Sequence, residues 1–113
     1  MIQISNVNDV TILNLKGSIL QNDSQSLREF LEKNLLEKKY NVVVNLLDTI
    51  HICSSALGQI VYMKPKFISN GGDIKMTVDD EDLLELLEIT MLDQVFNLFS
   101  DLPACIHSFH KRS

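Results

Sequence analysis

The 113-residue chain has no apolar run near the roughly 20 residues that a membrane-crossing helix needs, so membrane insertion is not expected. Met1-Ile2-Gln3-Ile4-Ser5 carries neither a basic segment nor an apolar signal core, which makes the cytoplasm the expected location. Material for disulfides is equally short. The two cysteines, Cys53 and Cys105, lie far apart in a chain without a secretion signal, and both read as reduced thiols, one of them a core residue. A concentrated basic patch is missing too. The formal net charge of −5 repels the phosphate backbone of nucleic acid, so no direct nucleic-acid partner is expected. Lys38-Lys39 and Lys111-Arg112 are short clusters of the kind that solvate a helix end or a tail.

The motifs of several catalytic and metal-binding classes are also lacking, and no cofactor is expected. There is no G-x-S-x-G segment, and no spacing identifies a histidine and an acid as partners for a serine nucleophile. His51 reads as a partly buried strand residue. His107-x-x-His110 with Cys105 has no fourth ligand or second spaced pair and reads as part of a terminal amphipathic helix. Asp79-Asp80-Glu81-Asp82 lacks the glycine and bidentate glutamate of an EF-hand, and suits the start of a helix. Gly71-Gly72 is followed by no Lys-Ser/Thr and opens a strand, unlike a phosphate-binding loop.

What is present describes an ordinary globular domain. With 45% hydrophobic and 22% charged residues, the chain is one domain spanning residues 1–113, large enough to bury roughly two-thirds of its unfolded surface. Ile2-Gln3-Ile4 and Thr11 to Lys16 predict two strands joined at Asn6-Val7-Asn8-Asp9, a hairpin at or near a sheet edge. Asn22-Asp23-Ser24 offers N-cap residues for a helix carrying Leu27, Phe30, Leu31 and Leu35, with Lys38-Lys39 at its end. Asn41-Val42-Val43-Val44-Asn45-Leu46 has the β-branched run of a strand buried on both faces. A second helix from about residue 55 toward 69 follows, kinked or frayed early by Pro65 and stopped at Asn70-Gly71-Gly72. Ile74, Met76 and Val78 alternate as a strand, and Asp79 and Asp80 cap a helix carrying Leu83 to Ile89. A short helix at Met91 to Phe96, a strand at 97–99 and a helix around 102–110 complete the chain. Such an order implies crossovers, hence an α/β fold with a small mixed, mainly parallel sheet packed by about four helices.

The most informative stretch is Ile50-His51-Ile52-Cys53-Ser54-Ser55-Ala56-Leu57-Gly58, where paired serines sit at a strand-to-helix junction. A hydroxyl at a helix N-terminus either caps the helix or carries a phosphate that the unpaired N–H groups and partial positive charge stabilise. From spacing alone both readings stand.

Cys53 to Gly58 and the segment Leu84-Glu85-Leu86-Leu87-Glu88-Ile89-Thr90-Met91-Leu92-Asp93-Gln94-Val95-Phe96, with Asn45-Leu46 before them and Gly71-Gly72-Asp73-Ile74 between, resemble the STAS domain of bacterial anti-sigma factor antagonists. The likeness spans almost the whole chain. It implies a protein that is not an enzyme but the substrate of a serine kinase and a phosphatase. The unphosphorylated form would bind an anti-sigma factor serine kinase and free the sigma factor. Phosphorylation on Ser54, with Ser55 as second choice, would end that binding, and a serine phosphatase of the metal-dependent type would restore it. The implied partner surface comprises Cys53, Ser54, Ser55, Leu57, Gly58, Leu20 and Asn45. Family members commonly carry aspartate where this chain has Leu20, Asn45 and Cys53, and glycine where it has Ala56. A thiol is a poor cap, which leaves Ser54 to cap the second helix itself. A STAS-like regulatory subunit of a transporter or signalling complex, working without phosphate, is the alternative; a hydrolase is a third and would need a histidine and an acid assembled near Ser54.

Overall fold

The computed structural model describes residues 1–110; the Lys111-Arg112 cluster lies outside the described residues. Strands β1 (Ile2–Val7) and β2 (Val10–Leu15) form the expected antiparallel hairpin. Its turn is tighter than the sequence suggested: Val7 faces Val10, leaving only Asn8 and Asp9 in the loop, with Asn8 at φ 55°. β4 (Asn41–Asn45), β6 (Asp73–Thr77) and β7 (Leu98–Phe99) add in parallel, giving a five-stranded sheet ordered β1-β2-β4-β6-β7.

The valine run of β4 is buried on both faces. Val42 and Val44 enter the larger core, built with Leu27 and Leu31 of α1 (Gln21–Leu36), Ile60, Met63 and Phe67 of α2 (Ser54–Ile68), and Leu83 and Leu87 of α3 (Glu81–Ile89). Val43 points the other way, into a smaller cluster with Val10, Ile12 and Cys105 beneath α4 (Leu102–Ser108). The result is the mixed, mostly parallel sheet with four helices that the element order implied.

A separate pair of short strands was not foreseen, although His51 had been read as a strand residue. β3 (Gly17–Ile19) and β5 (Thr49–Ile52) pair in parallel as a separate two-stranded ribbon. It prolongs β2 and β4 beyond the main sheet: the Gly17 N–H donates to Asp48 O at 3.0 Å, and Thr49 Oγ1 donates to Leu15 O at 2.6 Å. Projecting there, β5 leaves His51 exposed, not partly buried as expected.

Helix boundaries also differ in instructive ways. α1 starts earlier than Asn22-Asp23-Ser24 suggested, with Leu20 as its N-cap; the Asp23 carboxylate reaches back to accept the Leu20 N–H at 2.9 Å. α2 runs through Pro65 to Ile68 without an early end. The missing N–H there costs one intrahelical bond. Burial of Met63, Lys64 and Phe67 on either side holds the last turns in place. Lys64 anchors α2 to β6, donating to Asp73 Oδ1 at 2.5 Å and to Ile74 O at 3.0 Å. Asp80 caps α3 as expected, accepting the Leu83 N–H at 3.0 Å. Of the short helix expected at Met91 to Phe96, only Leu92–Gln94 is helical, as a 3₁₀ turn.

The histidines near the C-terminus do not converge on Cys105. His110 turns to Asp9, its Nε2 lying 2.5 Å from Asp9 Oδ1, and that hydrogen bond chiefly holds the Asp9 carboxyl below its ordinary pKa. Cys105 is fully buried, and desolvation pushes its thiol up to about 12.

Candidate functional site

The β3–β5 ribbon sets the site. Because the two strands are parallel and in register at Ile19 and Ile52, both hand over to helices at the same level: β3 to α1 through Leu20, β5 to α2 through Cys53. The Cys53 N–H donates to Ile19 O at 2.9 Å, so the two helix starts are tied side by side.

Cys53, in extended conformation (φ −77°, ψ 160°), is the N-cap of α2, and Ser54 is the first helical residue. This reverses the expectation that Ser54 caps the helix. The first intrahelical bond runs from the Leu57 N–H to Cys53 O at 3.2 Å, and no side chain caps the turn. The N–H groups of Ser54, Ser55 and Ala56 therefore have no intrahelical or capping acceptor, and the first turn holds no acidic residue. Cys53 Sγ spends itself on a long contact of 3.9 Å to the buried Ser24 hydroxyl. Ser54 is exposed, and among the described residues its hydroxyl makes no hydrogen bond. Ser55 is half-buried, while Ala56 and Leu57 belong to the core.

Leu20 and Gly58 are both exposed near this junction. Gly58 is not required by packing, since a Cβ there would touch nothing within 4 Å. Asn45 is placed differently. It shares the face of Val43 and is buried, its amide donating to Asn14 Oδ1 at 2.8 Å while its oxygen accepts Thr77 Oγ1 at 2.6 Å and the Leu47 N–H at 3.2 Å. That row of polar groups holds the carboxyl ends of β2, β4 and β6 together. Strand alternation thus puts Asn45 on the face opposite α1 and α2, apart from the serine.

The second sequence box reaches the same place. Thr90 closes α3 by donating its hydroxyl to Leu86 O at 2.7 Å, and Met91 takes a left-handed conformation (φ 62°) that turns the chain into the 3₁₀ turn. Leu87 and Phe96 plunge into the core. Thr90 and Leu92 then face Ser54, Leu57, Gly58, Val61 and Tyr62 across a groove of about 450 Å³. A second, mainly apolar hollow of about 410 Å³ shares Val61 and runs on past Pro65, Ile68 and Val95. Tyr62, 54% exposed, lines the first groove, and Ile50 (77%) and Met91 (60%) are further exposed hydrophobic side chains. Met91 and Val95 belong to the second sequence box but were given no surface role there, and Tyr62 lay outside both boxes; an exposed aromatic on the α2 face was the one available signal. At the same end of the sheet, Asp79, Asp80, Glu81 and Asp82 line a polar cleft with Leu47 and Thr49.

Among the described residues no histidine or acid bonds to the Ser54 hydroxyl, so nothing present activates it as a nucleophile. No group of three metal-ligating side chains occurs among the described residues. No helix there is long and apolar enough to cross a membrane.

The STAS domain family model matches residues 1–105, and the chain belongs to that family. Solved structures share its fold at low sequence identity. A Thermotoga maritima protein described as an anti-sigma factor antagonist superposes with a TM-score of 0.88 at 20% identity, over 97% of this chain and 95% of that one. An anti-sigma factor antagonist from Mycobacterium paratuberculosis gives 0.87 at 14% identity, over 98% and 94%. The Bacillus cell fate determinant SpoIIAA in its phosphorylated form gives 0.75 at 11% identity, over 96% and 99%. No curated protein matches the chain in sequence.

Proposed function

We propose that this STAS domain is an anti-sigma factor antagonist: it binds an anti-sigma factor serine kinase, thereby releases a sigma factor, and is switched off by phosphorylation of Ser54. A metal-dependent serine phosphatase resets it, and the protein works in the cytoplasm as a substrate and binding partner, not as a catalyst. The observation that carries this reading is the exposed Ser54 hydroxyl, free of hydrogen bonds among the described residues, above the uncapped N-terminus of the 15-residue α2. A phosphate there adds about −1.5 to −2 charge where open N–H groups and the helix dipole accept it, so the fold survives modification. The same charge at the mouth of an apolar groove must be desolvated when a partner docks, which favours release. Ser54, Ser55, Cys53, Leu20 and Gly58 supply the contact surface, with Leu57 beneath them. Asn45 serves it indirectly, by fixing the strand ends.

Competition tests the proposal. Added to a preformed kinase–sigma factor complex, the wild-type chain should displace the sigma factor, whereas Ser54→Asp should not, although its melting temperature is no lower than that of the wild type. Displacement by both forms alike would contradict the switch. The uncharged surroundings of Ser54, with Leu20 and Cys53 in place of acids, favour a second reading: a regulatory subunit of a transporter or signalling complex that docks permanently and ignores phosphate. Equal capture of a transporter or signalling component by wild type and Ser54→Asp would select that reading.

A further inference from the structure

The outer edge of β1 points to self-association. In an antiparallel pair, residues alternate between exchanging both backbone hydrogen bonds with the neighbour and turning those groups away. Met1 and Lys16 exchange theirs, at 2.8 and 2.9 Å, and the unbroken register makes Gln3, Ser5 and Val7 the other bonded positions. Ile2, Ile4 and Asn6 therefore aim their N–H and C=O groups outward. Among the described residues no strand pairs with them, because β1 ends the sheet.

Sheet edges in stable monomers are blunted by charges, prolines, bulges or short length. β1 has none of these: it is six residues long, with no charge, no proline and no break in register. β7, at the opposite edge, has only two residues.

We propose that β1 pairs antiparallel with β1 of a second copy about a two-fold axis, joining two five-stranded sheets into one. The outward groups fix the register: Ile4 meets Ile4 of the other copy at the axis, and Ile2 meets Asn6. A two-fold sets every residue against its own sequence, so a charge at the axis would confront itself. The uncharged Ile-Gln-Ile-Ser-Asn-Val run fits that requirement. Ile4, 42% exposed, gains an apolar neighbour. The cations flanking it on the α1 side, Lys33 and Lys39, both lie within 4.0 Å of Glu37. The edge carries none of the residues around Ser54, so a dimer leaves the switch surface open.

Sedimentation velocity over a concentration series up to about 1 mM tests this with no kinase present. The wild type should dimerise with concentration, and Ser54→Asp should do the same. Ile4→Pro should weaken the dimer by roughly tenfold or more, since the Ile4 N–H serves only the outer edge. Ile4→Lys and Ile4→Glu should each stay monomeric, and an equimolar mixture of the two should dimerise, because position 4 meets itself at the axis. A wild type that remains monomeric throughout overturns the proposal. So does a dimer indifferent to both Ile4→Pro and Ile4→Lys, or a charge-swapped mixture that stays monomeric.

Discussion

Replacing Cys53 with aspartate should stabilise the protein. The N-cap position already has the extended backbone a capping side chain uses, and the N–H groups of Ser55 and Ala56 have no acceptor. An aspartate there gains one charge-assisted hydrogen bond and a favourable position on the helix dipole, together about 1–2 kcal/mol. Three losses offset part of this, the first being the partly buried packing of Cys53 against the main core. The Sγ contact to Ser24 is long, at 3.9 Å, and is worth a few tenths at most. Asp23, in the first turn of the neighbouring α1, opposes a second carboxylate, again by a few tenths in solvent. The net gain is at most about 1 kcal/mol, and for a domain of this size that raises the melting temperature by up to about 4 °C. Thermal melts followed by circular dichroism at pH 7 and again near pH 3 measure it. A carboxylate that caps a helix has a depressed folded-state pKa, so the gain must be present at pH 7 and fade as pH falls through that pKa. A Cys53→Asp variant that melts at or below the wild-type temperature at pH 7 would falsify the description of α2 as uncapped.

Other consequences can be checked independently. Gly72→Ala should cost about 1–3 kcal/mol or more, because its Cβ would sit 1.9 Å from the Tyr40 carbonyl oxygen, which cannot move while it accepts the Asp73 N–H; urea unfolding reports the loss. Lys64→Ala should destabilise by roughly 3 kcal/mol in the same assay, since it strands the partly buried Asp73 carboxylate, whereas a change near zero would deny the pair any anchoring role. The Cys105 thiol is held neutral by burial, its pKa raised from 9.0 to about 12, so its contribution to stability is intact below pH 9 and lost as pH climbs toward 12. Cys105→Ala should flatten that alkaline slope, and native protein should react with a thiol reagent at Cys53 well before Cys105.

Much of this arrangement was legible in the residues. The valine run of β4 announced a strand covered on both faces, Asp80 announced the start of α3, and the boxes at Cys53 to Gly58 and Leu87 to Phe96 announced the family. What the residues hid was mostly tertiary. Gly17-Ser18-Ile19 has no strand pattern of its own; it becomes β3 because β2 and β4 already run side by side and deliver it next to Thr49–Ile52, where the two segments pair with a shift of register between Gly17 and Ser18. That same extension exposes His51 and places Leu20 beside Cys53. Leu20 was missed as an N-cap because rules for caps look for a polar side chain at the cap itself, and here Asp23 supplies the hydrogen bond from within the first turn. Pro65 was expected to kink α2 or fray it early; the helix nonetheless runs on to Ile68, because one lost backbone bond is outweighed by the burial of Met63 and Phe67. The groove between α2 and the turn after α3 joins residues some 35 positions apart, from Ser54 to Thr90, and no local pattern signals it.

The switch turns on whether Ser54 is the phosphate acceptor. Incubation with the cognate serine kinase and ATP, followed by intact mass and peptide mapping, addresses it directly. A single gain of about 80 Da is expected, mapped to Ser54, absent from Ser54→Ala and accompanied by loss of kinase binding. A modification that persists in Ser54→Ala, or a Ser54-phosphorylated chain that binds the kinase as tightly as before, would contradict it.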